Sequence, residues 1–297
     1  MEKKPLIGIV IVNFNGAKFQ NECIESILKS TYQDFRIIVV DNGSTDDSMS
    51  QLSAFDDARI EPILVGENVG VAKGNNIGIE RSLSDGCDAS LILNNDTVLE
   101  PDMLEKLVKA LEKDAAACPM IYYWSNPEVF WFCGGAFAAK KGLSLHVGND
   151  VKDTGQPLPD HCEYAPTCCL LVKNSVIKEI GMMDEAYFLY FDDADFAMRL
   201  KLAGHPIAMV RDAKLYHKVS MSTGGATSKT VTYYMNRNRF YFLDKFKGQF
   251  SKMAKPYSYW TRKFKYWKSL FTRSNDRLIK KAYRDYKAGR MGRCDTL

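Results

Sequence analysis

Residues 6–12 read LIGIVIV, a continuous apolar run rich in β-branched residues, and the polar sequence NFNG follows at 13–16. Three further short apolar runs lie at 36–40 (RIIVV), 60–65 (IEPILV) and 89–93 (ASLIL). Helix-length amphipathic segments alternate with these runs, near 18–29, 46–54, 70–83 and 101–113. Apolar strands that alternate with helices predict an α/β fold in which helices cover both faces of a Rossmann-like, mainly parallel sheet.

Polar residues follow each of the four predicted strands. The ends read NFNG at 13–16, DNGS at 41–44, GEN at 66–68 and NND at 94–96. In open parallel sheets, ligands bind beyond the carboxyl ends of the strands, so these segments predict a ligand-binding rim along one edge. Gly70, Gly74 and Gly78 form neither a G-x-G-x-x-G nor a phosphate-loop lysine motif, which argues against an NAD enzyme and a P-loop NTPase.

The regular alternation weakens after about residue 115. Residues 129–175 combine a Gly-Gly pair, aromatic residues and short apolar runs, which indicates an antiparallel or mixed extension of the sheet. A helix is expected at 193–204, because the glycine at its end suits the left-handed position that follows a helix. A strand is expected from residue 207 to about 216.

The composition indicates a globular protein of a reducing compartment. Of its 297 residues, 46% are hydrophobic and 26% are charged, which is ordinary for a folded domain. The eight cysteines include no Cys-x-x-Cys spacing, and we interpret them as buried thiols of a cytoplasmic protein. The first apolar run stops at Asn13 without a small-residue cleavage site, so it predicts a core strand and not a signal peptide.

The charge is unevenly distributed along the chain. Residues 245–297 contain 16 Lys and Arg against 3 Asp and Glu, a balance of +13, whereas the rest of the chain has a balance of −9. Aromatic residues interleaved with these cations are typical of a helical tail that contacts an anionic membrane surface, here the inner face of the cell membrane. Packing on the body with a solvated basic face is the alternative. The acidic body argues against nucleic-acid binding.

Three acids follow a mostly aromatic segment in the sequence YFLYFDDADF at 187–196. A helix that begins here would place Asp193 near the positive end of the helix dipole, which favours its ionised form. An ionised carboxylate in an aromatic-walled pocket is a suitable general base toward a hydroxyl group. The alternative is a helix N-cap with solvated first-turn acids, and Asp195 is the best candidate for that role.

Two further residues are candidate metal ligands. Asp96 ends the NND segment, where a carboxylate beside amides can hold a hard divalent cation; the alternative is a turn that starts the next helix. His217 ends a later strand, and a neutral imidazole suits Mn²⁺, or less well Mg²⁺, although a lone histidine is commonly structural. His146 and His161 have no distinguishing sequence context.

Together these residues resemble the family 2 inverting glycosyltransferases of the GT-A fold, in particular bacterial rhamnosyltransferases and galactofuranosyltransferases. The resemblance spans roughly residues 6–245. It is carried by IVIVNFNG at 9–16, IIVVDNGSTDDS at 37–48, ENVGVAKGNNIGI at 67–79, LILNNDTVLEPDML at 91–104, CGGAF at 133–137, GMMDEAYFLYFDDADFAMRLKLAGH at 181–205 and LYHKVSMSTGG at 215–225.

The resemblance implies a role for each matching residue. The residues implied to bind the sugar donor are Asn13 and Asp41 in the nucleoside pocket, with Asn68, Lys73, Asn76, Asn94 and Asn95. Asp96 and His217 match ligands of a divalent metal, Mn²⁺ or Mg²⁺, and Asn94 stands where the family has an acid. Asp193 matches the catalytic base and Asp192 an acid that orients the acceptor.

The implied donor is a UDP or dTDP sugar, with rhamnose or galactofuranose, and the implied acceptor is a cell-surface polysaccharide or a lipid-linked glycan. We expect residues 1–98 to form the nucleotide-sugar half of one GT-A domain, 99–244 its acceptor and catalytic half with a mixed sheet, and 245–297 the basic aromatic tail. A nucleotidyltransferase is one alternative, although the Gly- and Arg-rich segment expected after the first strand is absent. A catalytically degenerate sugar- or nucleotide-binding module is the other, because Asn94 replaces an acid.

Overall fold

A computed structural model describes residues 4–219, 228–272 and 274–297. Residues 220–225 of the LYHKVSMSTGG motif lie outside the described residues. The strands are β1 (Ile7–Asn13), β2 (Phe35–Asp41), β3 (Ile60–Leu64), β4 (Ala89–Asn94), β5 (Thr97–Leu99), β6 (Ala116–Tyr123), β7 (Asn126–Phe132), β8 (Gly135–Ala138), β9 (Leu143–His146), β10 (His161–Cys162), β11 (Cys169–Lys173) and β12 (Ile207–His217).

Helices connect these strands and continue past the last one. They are α1 (Gln20–Leu28), α2 (Ser48–Leu52), α3 (Val71–Ser84), α4 (Met103–Ala110), α5 (Asn174–Ile180), α6 (Asp192–Leu202), α7 (Lys229–Lys245), α8 (Ala254–Ser269) and α9 (Leu278–Lys287). The first four strands and four helices all lie within a few residues of their predicted positions, which confirms the α/β prediction.

Most strands join one large mixed sheet. Its order is β10-β12-β6-β11-β4-β1-β2-β3, with β5 added beside β12 and β7 beside β6. Strands β4, β1, β2 and β3 run parallel to one another. Strand β11 runs antiparallel to both β4 and β6, so the predicted mixed extension is confirmed. A separate antiparallel hairpin is formed by β8 and β9.

The core explains why the central strands are apolar throughout. Ile7, Ile9, Val10 and Ile11 of β1 are fully buried, because successive side chains point to opposite faces and both faces are covered. In the parallel ladder, Asn13 lies opposite Asp41. The register therefore brings the polar ends of the strands to one edge of the sheet, where ligands bind in such folds.

The C-terminal helices pack in two different ways. Ala282 of α9 is buried in a small cluster with Tyr233 and Tyr234 of α7, so α9 is part of the folded body. Helix α8 instead leaves large apolar side chains exposed, among them Trp260 and Phe264. Across the residues that the structure describes, we find no helix with the length and apolar character that a membrane span requires.

Candidate active site

A buried amide organises the ends of the first two strands. Asn13 Nδ2, which carries two hydrogens, lies within hydrogen-bonding distance of three acceptors, Asp41 Oδ1 (3.2 Å), Ser44 Oγ (3.1 Å) and Ser48 Oγ (2.9 Å). Its Oδ1 accepts a hydrogen bond of 2.8 Å from Asn95 Nδ2. Asn13 has no exposed surface, and its side chain orients Asp41 and Asn95; its place in the nucleoside pocket stays a prediction.

Gly16 lies directly over this network. A Cβ atom at Gly16 would lie 2.1 Å from Asn13 Oδ1 and 2.3 Å from Asn95 Nδ2. Any side chain at this position would therefore separate the two amides. The glycine of the NFNG segment is needed for this close approach of the backbone.

The predicted donor residues on and before α3 are in different environments. Asn76 is buried, donates through Nδ2 to Met183 O (2.9 Å) and Glu185 Oε1 (3.0 Å), and accepts from Met183 N (2.9 Å). Its amide holds the 183–185 turn, and contact of Asn76 with the donor stays a prediction. Asn68 is partly exposed and Lys73 is exposed, and both remain predicted donor contacts.

Backbone pairing brings the two candidate metal ligands together. Strand β12 pairs with β5 so that His217 lies opposite Thr97, and Lys218 N donates to Asp96 O at 3.0 Å. Asp96 Oδ1 consequently lies 3.2 Å from His217 Nε2, with both side chains buried. Within the described segments, Asp96 Oδ1 and His217 Nδ1 have no hydrogen-bond partner.

This pair fits a divalent cation that keeps water or phosphate oxygens as its other ligands. Mg²⁺ and Mn²⁺ are commonly held by one or two protein carboxylates together with substrate phosphates, and imidazole suits Mn²⁺. Asn94 is exposed at the end of β4 and brings a neutral amide where an acid would add charge. No group of three or more potential ligands from His, Cys, Asp and Glu occurs in residues 4–219, 228–272 and 274–297.

The candidate catalytic acids begin α6. Phe191 is its N-cap residue, and no side chain of the described residues caps the helix there, so the N-cap alternative is wrong for these acids. Asp193 Oδ2 accepts a hydrogen bond from the Tyr164 hydroxyl at 2.5 Å, and its Oδ1 accepts one from Ala194 N at 2.7 Å. Asp192 is almost completely buried beside it.

Burial controls the protonation of this pair. Desolvation raises the pKa of Asp192, and the neighbouring Asp193 charge raises that pKa further. Desolvation also raises the pKa of Asp193, although the Tyr164 hydroxyl opposes the shift by favouring the carboxylate. The expected helix-dipole effect is therefore outweighed by burial. A carboxylate with a raised pKa accepts a proton more readily, which suits a general base.

The third acid of the cluster is a structural anchor. Asp195 is fully buried, Arg199 Nε donates to its Oδ1 at 2.8 Å, and Lys245 Nζ lies 2.6 Å from its Oδ2. Lys245 also pairs with Asp184 at 2.7 Å. The interpretation of Asp195 as a solvated first-turn acid is wrong, because its charge links α6 to the end of α7.

The turn before the acids has an unusual backbone. Tyr190 and Phe191 both have positive φ, 67° and 71°, a conformation that costs non-glycine residues free energy. Asn238 of α7 is fully buried and donates hydrogen bonds of 2.9 Å to Leu189 O and to Tyr190 O. Arg237 Nε donates to Asn238 Oδ1 at 3.0 Å, which fixes the orientation of the amide. Helix α7 thus stabilises the turn that sets the orientation of Asp192 and Asp193.

The structure adds three aromatic residues to the site. The Trp131 ring lies between His146 and His217, with ring centroids 5.0 and 4.5 Å away and both contacts edge-on. The Tyr164 ring lies 5.8 Å from His146. Burial lowers the pKa of His146, the Asp193 charge raises it and His217 lowers it, so His146 lies near both candidate centres. Gly135 of the CGGAF motif is a sequence signal for this contact, because a Cβ atom there would lie 2.3 Å from Tyr164 O and would push the Tyr164 backbone away.

The base and the metal-ligand pair face the same region. Burial raises the pKa of the Cys168 thiol, and the charges of Asp96 and Asp193 both raise it further. Cys168 therefore lies near both carboxylates, behind the edge of the sheet where β4 ends. A candidate base, a neighbouring acid and a carboxylate–imidazole pair that could hold a cation suit a metal-assisted group transfer.

The family model described as "Glycosyl transferase family 2" matches residues 8–180. This chain belongs to glycosyl transferase family 2, and it is an enzyme of the hexosyltransferase type. Glycosyltransferase GlyG of Streptococcus pneumoniae is 37% identical over 214 residues, which cover 70% of this chain and 68% of the relative. The dTDP-rhamnosyl transferase RfbF of Shigella flexneri is 26% identical over 250 residues, 80% of each chain.

Two solved structures share the GT-A fold. GalNAc-T7 with UDP, GalNAc and Mn²⁺ has a TM-score of 0.65 at 13% identity, over 82% of this chain and 48% of that chain. TarS 1–349 of S. aureus in complex with UDP has a TM-score of 0.54 at 13% identity, over 85% and 68%. Family membership decides against the nucleotidyltransferase and against a non-enzymatic binding module.

Proposed function

We propose that the enzyme transfers rhamnose or galactofuranose from a UDP or dTDP donor to a hydroxyl of a cell-surface polysaccharide or lipid-linked glycan, with inversion. The observation that carries the proposal is the Asp193 carboxylate, bonded to Tyr164, together with the converging Asp96 and His217 side chains. The rings of His146 and Trp131 connect Tyr164 to His217. The printed name of RfbF supports a dTDP donor, and the bound UDP of TarS and GalNAc-T7 supports a UDP donor.

The proposed reaction is a single displacement at the anomeric carbon. Asp193 takes the proton of the acceptor hydroxyl as its oxygen bonds to that carbon and the bond to the diphosphate oxygen breaks. Attack opposite the leaving group inverts the configuration. Asp192, whose pKa is raised by burial and by the Asp193 charge, would orient the acceptor through a hydrogen bond. A divalent cation held by Asp96 and His217 would supply charge stabilisation for the departing nucleoside diphosphate.

A donor panel tests this proposal. Purified protein is incubated with UDP and dTDP sugars, Mn²⁺ or Mg²⁺ and a soluble glycan acceptor, and sugar transfer and the anomeric configuration of the product are measured. Asp212→Asn, at an exposed aspartate of β12, is the matched control for substitutions of the site acids. Transfer with retained configuration would contradict the single displacement, and no transfer with any of these donors would contradict the donor assignment.

We also propose that the tail contacts an anionic membrane surface on the cytoplasmic side. Helix α8 and the residue two positions past its end expose a stripe of five aromatic side chains, 46% to 91% exposed and spaced three or four residues apart, at Tyr257, Trp260, Phe264, Trp267 and Phe271. An exposed aromatic face with flanking lysines suits insertion among lipid headgroups.

Substitutions on this stripe give a cleaner test than truncation after Lys245, which would also remove Asp285. The Asp285 carboxylate accepts a hydrogen bond of 2.6 Å from Tyr233 of α7, so a truncated protein would lose support of the catalytic body. Trp260→Ala with Phe264→Ala should reduce co-sedimentation with anionic vesicles. Leu64→Ala, an exposed apolar residue of β3, is the control. Equal pelleting of all three proteins would contradict the membrane contact.

A further inference from the structure

Helices α8 and α9 enclose two neighbouring cavities of about 400 and about 330 Å³. The two cavities share Tyr266, Lys280 and Arg284 in their walls. Because the cavities share these walls, they form one continuous groove between α8 and α9. Each is large enough to hold a small polyanion.

The groove has a strong excess of positive charge. The smaller cavity is lined by Arg262, Lys263, Lys280 and Arg284, and no carboxylate of the described residues lines it. Asp285 lines the larger cavity, but its negative charge is balanced by ion pairs within the protein. Lys281 Nζ and Arg290 Nη2 each lie 2.7 Å from the Asp285 carboxylate, and the Tyr233 hydroxyl donates to it.

One buried arginine, Arg239, and one partly buried arginine, Arg262, add to this uncompensated charge. Arg239 is almost fully buried and donates to neutral partners, Ser258 Oγ at 2.9 Å and Lys141 O at 2.7 Å. Arg262 Nε is buried and has no acceptor among the residues that the structure describes. Desolvation and the neighbouring Arg262 charge lower the pKa of Arg239 to about 9, the direction expected where positive charge lacks a counter-ion. The guanidinium of Arg262, whose Nη1 donates to the neutral Thr261 Oγ1 at 3.4 Å, lies in the wall of the smaller cavity.

Aromatic side chains form the other part of the wall. Tyr259, Tyr266, Trp267 and Tyr283 line the smaller cavity. Trp267 also belongs to the exposed stripe of α8, so the groove opens directly beside the proposed membrane-contacting face. A ligand that suits these surroundings has an anionic group for the arginines and an apolar part for the aromatic face.

We propose that the groove between α8 and α9 is a binding site for the phosphate or diphosphate group of a lipid. The anionic group sits among Arg262, Lys280 and Arg284, and the hydrocarbon chain leaves past Trp267 into the membrane. This inference rests on the proposed membrane contact and deepens it. The basic tail would be attracted to any anionic surface, whereas the groove would recognise a terminal phosphate group specifically. A phosphate monoester or diphosphate offers more acceptor oxygens to a guanidinium than a diester does.

Vesicle binding with two anionic lipids tests the assignment. Phosphatidic acid exposes a phosphate monoester and phosphatidylserine does not. Vesicles of each lipid in phosphatidylcholine are prepared with the same surface charge, so that any difference in binding reports the phosphate monoester. The full-length protein is expected to bind the phosphatidic acid vesicles more tightly, and inorganic pyrophosphate should remove that preference. Lys280→Gln with Arg284→Gln should reduce the preference at least about fivefold, the effect of one basic residue at an anionic surface.

Lys265→Gln with Lys268→Gln is the matched control. It also removes two positive charges, but from exposed residues of α8 that line neither cavity. This variant should bind both kinds of vesicle more weakly and keep the preference. An equal loss of preference in both variants would overturn the proposal. Binding of pyrophosphate without any binding to vesicles would overturn the lipid assignment, and tighter binding to a single-stranded oligonucleotide than to vesicles would replace it with a nucleic acid.

Sugar transfer to a soluble acceptor is measured on the same preparation of the parent protein. If the parent transfers sugar but shows no lipid preference, the groove assignment fails and the proposed function stands. If the preference is present but no donor is used, the groove assignment stands and the proposed donors are wrong.

Discussion

Asn238→Ala should slow catalysis although residue 238 lies outside the catalytic acids. The substitution removes both hydrogen bonds that hold Leu189 O and Tyr190 O, and it leaves the left-handed Tyr190 and Phe191 without their support. Each lost hydrogen bond costs about 1 kcal/mol, and each left-handed residue stores about 1–3 kcal/mol that relaxation of the turn would release. Without the two hydrogen bonds, the two left-handed residues together favour the relaxed turn by about 2–6 kcal/mol, which leaves about 3% or less of the molecules with Asp193 in its productive position.

The expected result is a fall in kcat of about 30-fold or more, with the donor KM nearly unchanged because Asn238 lies outside the donor residues. The melting temperature should fall by several degrees, so the assay is run well below it. Asn236→Ala is the control on the same helix, because Asn236 donates to Thr232 O within α7 and to no other group in the described part of the chain. A kcat within about threefold of the parent, or an equal loss in the control, would refute the idea that Asn238 positions the acids.

Three further predictions concern the site directly. Asp96→Ala and His217→Ala should each weaken metal-dependent donor binding measured by calorimetry, and chelator should inhibit the parent; unchanged donor affinity in both variants would remove the metal role. Asp192→Asn should raise the melting temperature more at about pH 8 than at about pH 5. The pKa of Asp192 is higher in the folded than in the unfolded protein, so the parent loses stability as pH rises from the unfolded to the folded pKa. An equal gain in melting temperature at both pH values would contradict this. Tyr164→Phe removes a hydrogen bond that favours the Asp193 carboxylate, so the acid limb of the kcat/KM profile should move to higher pH; a profile with an unmoved limb would show that Tyr164 does not influence the base.

Local pattern was sufficient to predict the sheet. The apolar runs that became β1 and β4 are buried on both faces, and this burial is why their sequence is continuous and not alternating. Polar residues at their carboxyl ends were correctly expected at one edge, because the parallel register aligns Asn13 with Asp41. The helix at α6 and the strand at β12 were also predicted within two residues.

Residues that act through tertiary contacts could not be predicted. Trp131 lies on β7, His146 on β9 and Tyr164 after β10, and only the folded structure brings these three residues to Asp193 and His217. Sequence also does not tell which amides are buried: Asn13 and Asn76, both predicted to bind the donor, have buried side chains that hold neighbouring segments.

The most direct test of the account is the activity of Asp193→Asn beside its affinity for the donor. The amide keeps the shape of the side chain and cannot take the acceptor proton, so kcat should fall by about 10²–10⁴, the usual contribution of a general base. Donor affinity measured by calorimetry should stay close to that of the parent, because Asp193 acts on the acceptor. Turnover within about tenfold of the parent would contradict the assignment of Asp193 as the base.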